Sequence, residues 1–477
     1  MKKIFLGSVA LMALAASAQA ADLPRKAYTK APAPTPVYNW TGFYLSGGGG
    51  YGMWAADQQT TGTGFGLLPI RTGGRGFFGT VGGGYDWQLS PSLIAGVFAD
   101  AQFGNIKGTI DFYDGYSGAS SQNKVSYAAG GRLGYLVAPN VLTYVSAGYS
   151  HTDFAAANFI ASGGAVSGYT LPKQSLDGWF IGGGVENSLN AFVLTAAPNW
   201  FLKTDYRIAE YGRGNTSVAY LGAPSSYYLS FKPYVQTVST SLVYRFNSGA
   251  PAYAASAYVP PAPPVRWTGF YLSGGGGYGL WTADNEPSYS GGTYQTQRTS
   301  GRGYFGTVGG GYDWQFKPLW VAGVFADAQF GGMKGSVYTY PEGYYGTTTN
   351  KTNYAVGGRL GYLIAPNVLT YVNVGYSHAD FSATDLNYYS GTSGSYSIAK
   401  RSLDGWFLGG GTENSLNLFG ISTPGWFMKT EYRVAEYGKD TKPVLSGGAP
   451  YPTWYGTFKP YVQTISTSLV YRFNSGQ

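Results

Sequence analysis

One phrase occurs twice in the chain. Trp40-Thr-Gly-Phe-Tyr-Leu-Ser-Gly-Gly-Gly-Gly-Tyr-Gly returns unchanged from Trp267, an offset of 267 − 40 = 227 residues. The closing phrase Ser-Leu-Val-Tyr-Arg-Phe-Asn-Ser-Gly, starting at Ser241, returns from Ser468 at the same offset. In between, the offset slips by one residue around Lys203 and Lys429 and is then recovered. Solenoid repeats run roughly 20–50 residues. A period of 227 is therefore a duplicated domain, and whatever one copy folds into, the other must fold into as well.

The N-terminus stands outside both copies. Lys2-Lys3, the apolar run Ile4 to Ala16 and the small residues Ala18-Gln19-Ala20 form the three regions of a secretory signal peptide, cleaved near Ala20. The apolar run is shorter than the ~20 residues of a spanning helix. The chain has no cysteine, which rules out disulfides, thiolate metal sites and a lipid anchor at the cleavage site. An exported chain of this size without disulfides has to gain its stability from sheet closure or a large core.

Glycine makes up 74 of the 477 residues and tyrosine 44, while charged residues reach only 11 %. Low charge with many aromatics argues against disorder. The net charge of +8 is scattered, so no nucleic-acid footprint is expected. No window after residue 20 carries a helical apolar stripe. A period of two instead predicts eight strands in the first copy: Gly42–Gly52, Gly76–Leu89, Leu93–Gly104, Lys124–Val137, Val141–Thr152, Ser175–Leu189, Phe201–Tyr211 and Val235–Phe246. Most are 10–15 residues, enough for the 9–11 tilted residues that cross a bilayer. Ser90-Pro91-Ser92 and Ala138-Pro139-Asn140 are tight turns, Asn190–Trp200 is a looser link, and long loops are expected near 53–75, 105–123, 153–172 and 212–234. Short turns at one end and long loops at the other mark a transmembrane β-barrel.

Side-chain parity agrees. Val125, Tyr127, Ala129, Leu133, Tyr135 and Val137 share one face, and Lys124, Ser126, Ala128, Gly130, Arg132 and Gly134 the other. A membrane barrel turns the first face to lipid and the second to the lumen. By the same rule Val81, Tyr85, Trp87, Val97 and Phe103 point outward, and Asp86, Gln88, Asp100 and Gln102 inward. The fifth strand supports either parity. The inward charges are Asp86, Asp100, Arg132, Glu186, Lys203, Asp205, Arg207 and Arg245, repeated as Asp313, Asp327, Arg359, Glu413, Lys429, Glu431, Arg433 and Arg472. Four acids and four bases per copy suit a structural ion-pair network better than an ion-selective constriction, because balanced signs make a poor filter and unpaired buried charges cost several kcal/mol.

Two motifs point elsewhere and fail. Gly47-x-Gly49-x-x-Gly52 matches a dinucleotide fingerprint, but no helix follows to receive a phosphate; glycines that relieve crowding in a curved sheet explain it better. His151-Thr-Asp153 and His378-Ala-Asp380 lack an identifiable nucleophile or further metal ligand. No catalytic residue, cofactor site or metal site is assigned, and the chain reads as a non-enzyme.

The residues quoted above, together with Val81-Gly-Gly-Gly-Tyr-Asp-Trp-Gln, Gly131-Arg-Leu-Gly-Tyr and Ser241-Leu-Val-Tyr-Arg-Phe246, resemble the small outer-membrane barrels of alphaproteobacteria. These are the rhizobial major outer-membrane protein and porin-family group, related to the OmpA-like transmembrane barrel. The resemblance covers both copies. It implies a Gram-negative outer-membrane location in contact with lipid and lipopolysaccharide. It also implies recognition by the barrel-assembly machinery through closing aromatics, here Tyr244 and Phe246, and Tyr471 and Phe473. Family members usually carry a single barrel ending on the aromatic, whereas here the domain is doubled and Asn474–Gln477 follow.

The expected organisation is a signal peptide at 1–20, a proline-rich periplasmic segment at 21–37, a first barrel repeat at 38–249, a proline-rich linker at 250–265 and a second barrel repeat at 266–477. Sixteen linker residues reach roughly 50 Å when extended, far more than the ~5 Å between neighbouring strands. The fold class is therefore all-β, two tandem eight-stranded antiparallel transmembrane barrels, with one sixteen-stranded barrel as the alternative. The expected role is structural, with at most slow passive permeation of ions and small solutes. The alternatives are a sixteen-stranded general diffusion porin and a surface adhesin or receptor. Divergence of the loops, Thr60–Leu68 against Pro287–Gln295, loosely favours surface exposure.

Overall fold

The computed structural model describes residues 39–473 except 63–64, 67–68, 114–115, 139, 162–164, 190–198, 247–264, 291, 294–295, 340–343, 389–392 and 417–422. The expected signal peptide, the segment 21–37 and nearly all of the linker lie outside the described residues. In the first copy the barrel strands are β1 (Gly42–Gly62), β2 (Ile70–Gln88), β3 (Leu93–Tyr113), β4 (Tyr116–Ala138), β5 (Val141–Phe154), β6 (Gln174–Ser188), β7 (Trp200–Tyr211) and β8 (Ala223–Arg245). Each pairs antiparallel with the next in the chain. β1 also pairs with β8, from Tyr44↔Arg245 to Thr61↔Tyr228, and this closes the barrel.

The second copy repeats the pattern in β9 (Gly269–Tyr289), β10 (Gln297–Lys317), β11 (Trp320–Thr339), β12 (Tyr344–Ala365), β13 (Val368–Phe381), β14 (Arg401–Ser415), β15 (Trp426–Tyr437) and β16 (Ala449–Arg472). It closes through β9 and β16. Because each half closes on itself, the single sixteen-stranded barrel is excluded. Among the described residues the regular elements are all strands.

The strands run well past the expected ends. β1 has 21 residues and β4 has 23, so the expected loops 53–75 and 105–123 are mostly the upper parts of hairpins. Within 153–172 lie two short strands, Ala157–Ala161 and Val166–Leu171. Within 212–234 lies another, Gly214–Tyr220, and β8 begins at Ala223. The physical reason is that Thr and Tyr favour strands wherever a neighbour offers a ladder, and composition alone does not separate a polar hairpin from a loop.

Parity is as read, with two refinements. In β5, Val145 and Tyr149 are exposed while Leu142, Tyr144, Ser146 and Ser150 are buried, so the odd residues face out. In β4 a bulge between Asn123 and Val125 shifts the register, burying Asn123 and leaving Lys124 exposed rather than inward. Outward aromatics gather near both ends of the wall: Phe43, Trp87, Trp200 and Phe246 towards the short turns, and Phe77, Phe103, Tyr149 and Trp179 towards the hairpins. Such paired girdles belong to membrane barrels.

Glycine shapes the interior. Trp54 lies inside across glycines of the next two strands, where a Cβ on Gly74 would stand 2.2 Å and one on Gly108 2.3 Å from the indole. Its Nε1 donates to Ile106 O at 3.1 Å. Of the fingerprint-like glycines of β1 only Gly52 serves the same end, a Cβ there coming 2.7 Å from Ile106 Cδ1, while one on Gly47 would meet nothing within 4 Å. Gly50 between them is crowded, its Cβ 2.0 Å from Val238 O and 2.7 Å from the Phe78 ring.

The two barrels touch. Thr72 of β2 pairs with Thr299 of β10, and Val137, Ala138 and Val141 at a short turn cluster with Val368 at the equivalent turn of the second barrel. Hairpin end meets hairpin end and turn end meets turn end, so the barrels stand side by side in the same sense.

Candidate functional site: the barrel interior

The interior is built in layers. Next to the short turns, Trp40, Tyr44, Ile94, Leu136, Leu142, Tyr144, Phe201 and Val243 form a buried apolar layer. Against it lies a charged tetrad, Asp86, Arg132, Glu186 and Arg245, drawn from β2, β4, β6 and β8. Asp86 and Gly96 are ladder partners, as are Gly96 and Arg132, so the three form one row across three strands. The glycine is required there, because its Cβ would lie 2.0 Å from Asp86 Oδ1. Across that gap Arg132 Nε donates to Asp86 Oδ1 at 2.8 Å and Nη2 to Asp86 Oδ2, while Nη1 donates to Glu186 Oε2 at 3.2 Å. Arg245 Nε donates to Glu186 Oε1 at 2.8 Å and Nη2 to Asp86 Oδ2 at 2.9 Å. All four carboxylate oxygens thus receive guanidinium hydrogens, and the two charges of each sign cancel.

Aromatic faces cover the cations. Arg132 sits 4.4 Å from the Tyr44 ring and 5.1 Å from Tyr144, and Arg245 sits 4.3 Å from Trp40. Asp86 and Glu186 are 0 % exposed, Arg245 4 % and Arg132 5 %. The two carboxylates are thus fully enclosed by protein.

Asp100, Lys203, Asp205 and Arg207 form the next layer. Arg207 grips Asp100 through two bonds of 2.9 and 2.6 Å. Lys203 Nζ lies 2.9 Å from Asp205, which also accepts from Tyr144 Oη at 2.5 Å. Beyond them, towards the hairpins, Trp54, Phe78, Ile106, Phe112, Phe154, Phe180 and Phe231 belong to a larger apolar cluster.

The second barrel repeats the tetrad. Arg359 bonds Asp313 at 2.8 Å and Glu413 at 3.3 Å, and Arg472 bonds Glu413 at 2.6 Å and Asp313 at 2.7 Å. Arg433 holds Asp327 at 2.7 Å. Where the first copy has Asp205, the second has Glu431. Its extra methylene lets it accept from Arg433 at 2.7 Å, and Lys429 falls back to 3.8 Å. All sixteen inward charges therefore sit in two matching interior networks. The four closing aromatics lie on the outside, with Tyr244 against Phe246 and Tyr471 against Phe473, each pair edge to face at 5.2 Å.

The histidines lie outside the lumen. His151 Nδ1 is 2.7 Å from Asp177 on the neighbouring strand β6, and Nε2 is 3.6 Å from Asp153, two residues along its own strand. His378 matches it, at 2.7 Å from Asp404 and 3.5 Å from Asp380. Sequence reasoning missed a second set of charges, Asp57, Arg71, Arg75, Asp284, Arg298 and Arg302, because it put the first three in a loop. The available signal was a set of charges repeated at 227 on the outward parity, where lipid would reject them.

The profile of the outer membrane protein beta-barrel domain matches residues 6–246 and again 249–473. The chain belongs to that family. It carries the domain twice. The 31 kDa outer-membrane immunogenic proteins of Brucella melitensis and Brucella suis are each 29 % identical over 258 residues, covering 52 % of this chain and all of theirs. Among solved structures, the Yersinia pestis attachment invasion locus protein Ail matches at 15 % identity and a TM-score of 0.22, over 42 % of this chain and 99 % of its own.

Proposed function

We propose that this protein is a structural component of the outer membrane whose two barrels are closed to ordinary diffusion. The observation that carries this reading is the tetrad. Four buried charges that neutralise one another, capped by Trp40, Tyr44 and Phe201, plug the axis with side chains, and an eight-stranded barrel is just wide enough for side chains to fill. The signal peptide, the periplasmic placing of the short turns and the reading of Phe246 and Phe473 by the assembly machinery belong to the same proposal. It rests also on the rhizobial resemblance and on the outward, exposed setting of both aromatics. The test is single-channel recording of the purified protein in planar bilayers. The expected result is no sustained conductance step, and regular steps scaling with salt would overturn the reading.

A second reading has support of its own. The hairpins present exposed side chains such as Leu221, Tyr228 and Tyr455, and the Brucella relatives are named immunogenic proteins. Exposed hairpins of this kind would serve surface recognition without any conducting pore.

A further inference from the structure

The contact between the barrels is symmetric residue by residue. Arg75 Nη2 reaches Asp284 Oδ2 at 2.6 Å, and Arg302 Nη2 reaches Asp57 Oδ2 at 2.9 Å. Both pairs obey the offset, 57 + 227 = 284 and 75 + 227 = 302. Within each barrel a further arginine braces the acceptor, Arg71 on Asp57 and Arg298 on Asp284, both at 2.7 Å. The same two arginines then cross over, Arg71 donating to Lys334 O and Arg298 to Lys107 O, both at 2.6 Å. Their backbone amides cross as well, to Ser336 Oγ at 2.8 Å and Thr109 Oγ1 at 2.6 Å. Arg75 stacks 3.5 Å over Tyr461, and Arg302 stacks 3.4 Å over Tyr234.

On an axis of twofold symmetry, equivalent residues meet each other. Here Thr72 pairs with Thr299, Gln463 donates to the carbonyl of Gln236 at 3.4 Å, and Tyr206 packs on Tyr432 at 6.0 Å. The outward face of β1 records the same contact. Phe43 and Leu45 are exposed to the lipid, but Met53 and Ala55 higher on the same face are fully buried, together with Leu280.

We infer that each repeat carries a self-complementary docking face whose partner is a second copy of the same barrel, and that the chain is a covalently fused dimer held by this face rather than by its linker. An isologous interface, in which residue i meets j and j meets i, is what a twofold homodimer has. A linker only raises the effective concentration of surfaces that already fit. Charges on a membrane wall are unfavourable against lipid, so the bonded set Asp57, Arg75, Asp284 and Arg302 favours a protein partner over an acyl chain.

The test uses the full chain with a protease site placed in the linker, cut after folding in detergent. The two halves are expected to co-elute after cutting and to separate in the Arg75→Glu/Arg302→Glu variant, with both halves still heat-modifiable. A disulfide provides a second measurement that does not depend on that variant folding. Thr282 Cγ2 lies 3.0 Å from where a Cβ at position 73 would stand, matching the ~3 Å from Cβ to distal sulfur implied by an S–S bond of about 2.04 Å. Ser300, the equivalent of Gly73, crowds that Cβ at 2.6 Å and Trp54 O stands 2.9 Å from it, so Gly73→Cys/Thr282→Cys is made with Ser300→Gly and needs a shift of a few tenths of an ångström at Trp54 O. The chain has no other thiol. Oxidation in outer membranes should leave the cut halves joined on non-reducing gels. Wild-type halves that part on cutting, or the absence of a cross-link in the folded cysteine variant, would overturn the inference.

Discussion

Replacing Arg132 with Met tests whether the first barrel is a packed solid or a wet tube. Arg132 supplies three of the five guanidinium bonds in its tetrad, two to Asp86 and one to Glu186. With it gone, Arg245 alone faces two carboxylates, and a net negative charge stays on two fully buried groups. Breaking a buried pair by removing one partner costs about 3–5 kcal/mol. At about 1.36 kcal/mol per decade, that is roughly two to four orders of magnitude in the unfolding equilibrium. The second barrel keeps its own tetrad, so the loss should be confined to one half. Urea titration in detergent, followed by tryptophan fluorescence and heat-modifiability on gels, should split into an early and a late transition. Adding Asp86→Asn leaves Arg245 facing Glu186 alone, one charge of each sign, and should recover more than half of the loss. If Arg132→Met moves the transition by less than about 1 kcal/mol while bilayer conductance rises, the tetrad is hydrated and the sealed-interior argument fails.

Gly50→Val should block closure of the first barrel, since a Cβ there meets Val238 O at 2.0 Å; a folded, heat-modifiable first half would show that the wall can yield. Phe473→Asp places charge on the outer face at the end of β16, and steady-state levels in the outer membrane should fall several-fold; normal levels would remove the assembly role from this aromatic. For topology, Leu221→Cys at a hairpin tip should react with an impermeant maleimide on intact cells, and Lys317→Cys at a short turn only after the outer membrane is breached. Labelling in the opposite order would invert the proposed orientation.

The duplication made the closure legible. Two copies of Tyr-Arg-Phe fit two eight-stranded barrels or one sixteen-stranded barrel, and the proline linker favoured the former. The pairing of β1 with β8 and of β9 with β16 decides it. Parity found the interior charges because a strand alternates strictly, and the mistakes fall where alternation breaks. Lys124 sits at a bulge, where one extra residue turns the following side chain over. The partner of His151 is Asp177, 26 residues away on another strand, a distance that no local motif records.

Parity also has a limit of principle. It separates inside from outside, but it gives the outside only one meaning, lipid. Met53 and Ala55 are outward by parity and yet buried by protein, and Asp57 and Arg75, outward too, are half-buried and bonded across the contact. Met53 and Ala55 pass unnoticed on an apolar wall, so only the charges betray the contact. An aspartate and two arginines at outward positions, repeated at 227 residues, are costly against acyl chains unless something neutralises them. In a single-barrel protein the neutralising group would have to come from another molecule. Here the second repeat supplies it from the equivalent residues. The duplication that doubles the barrel thus also completes the surface on which the two barrels meet.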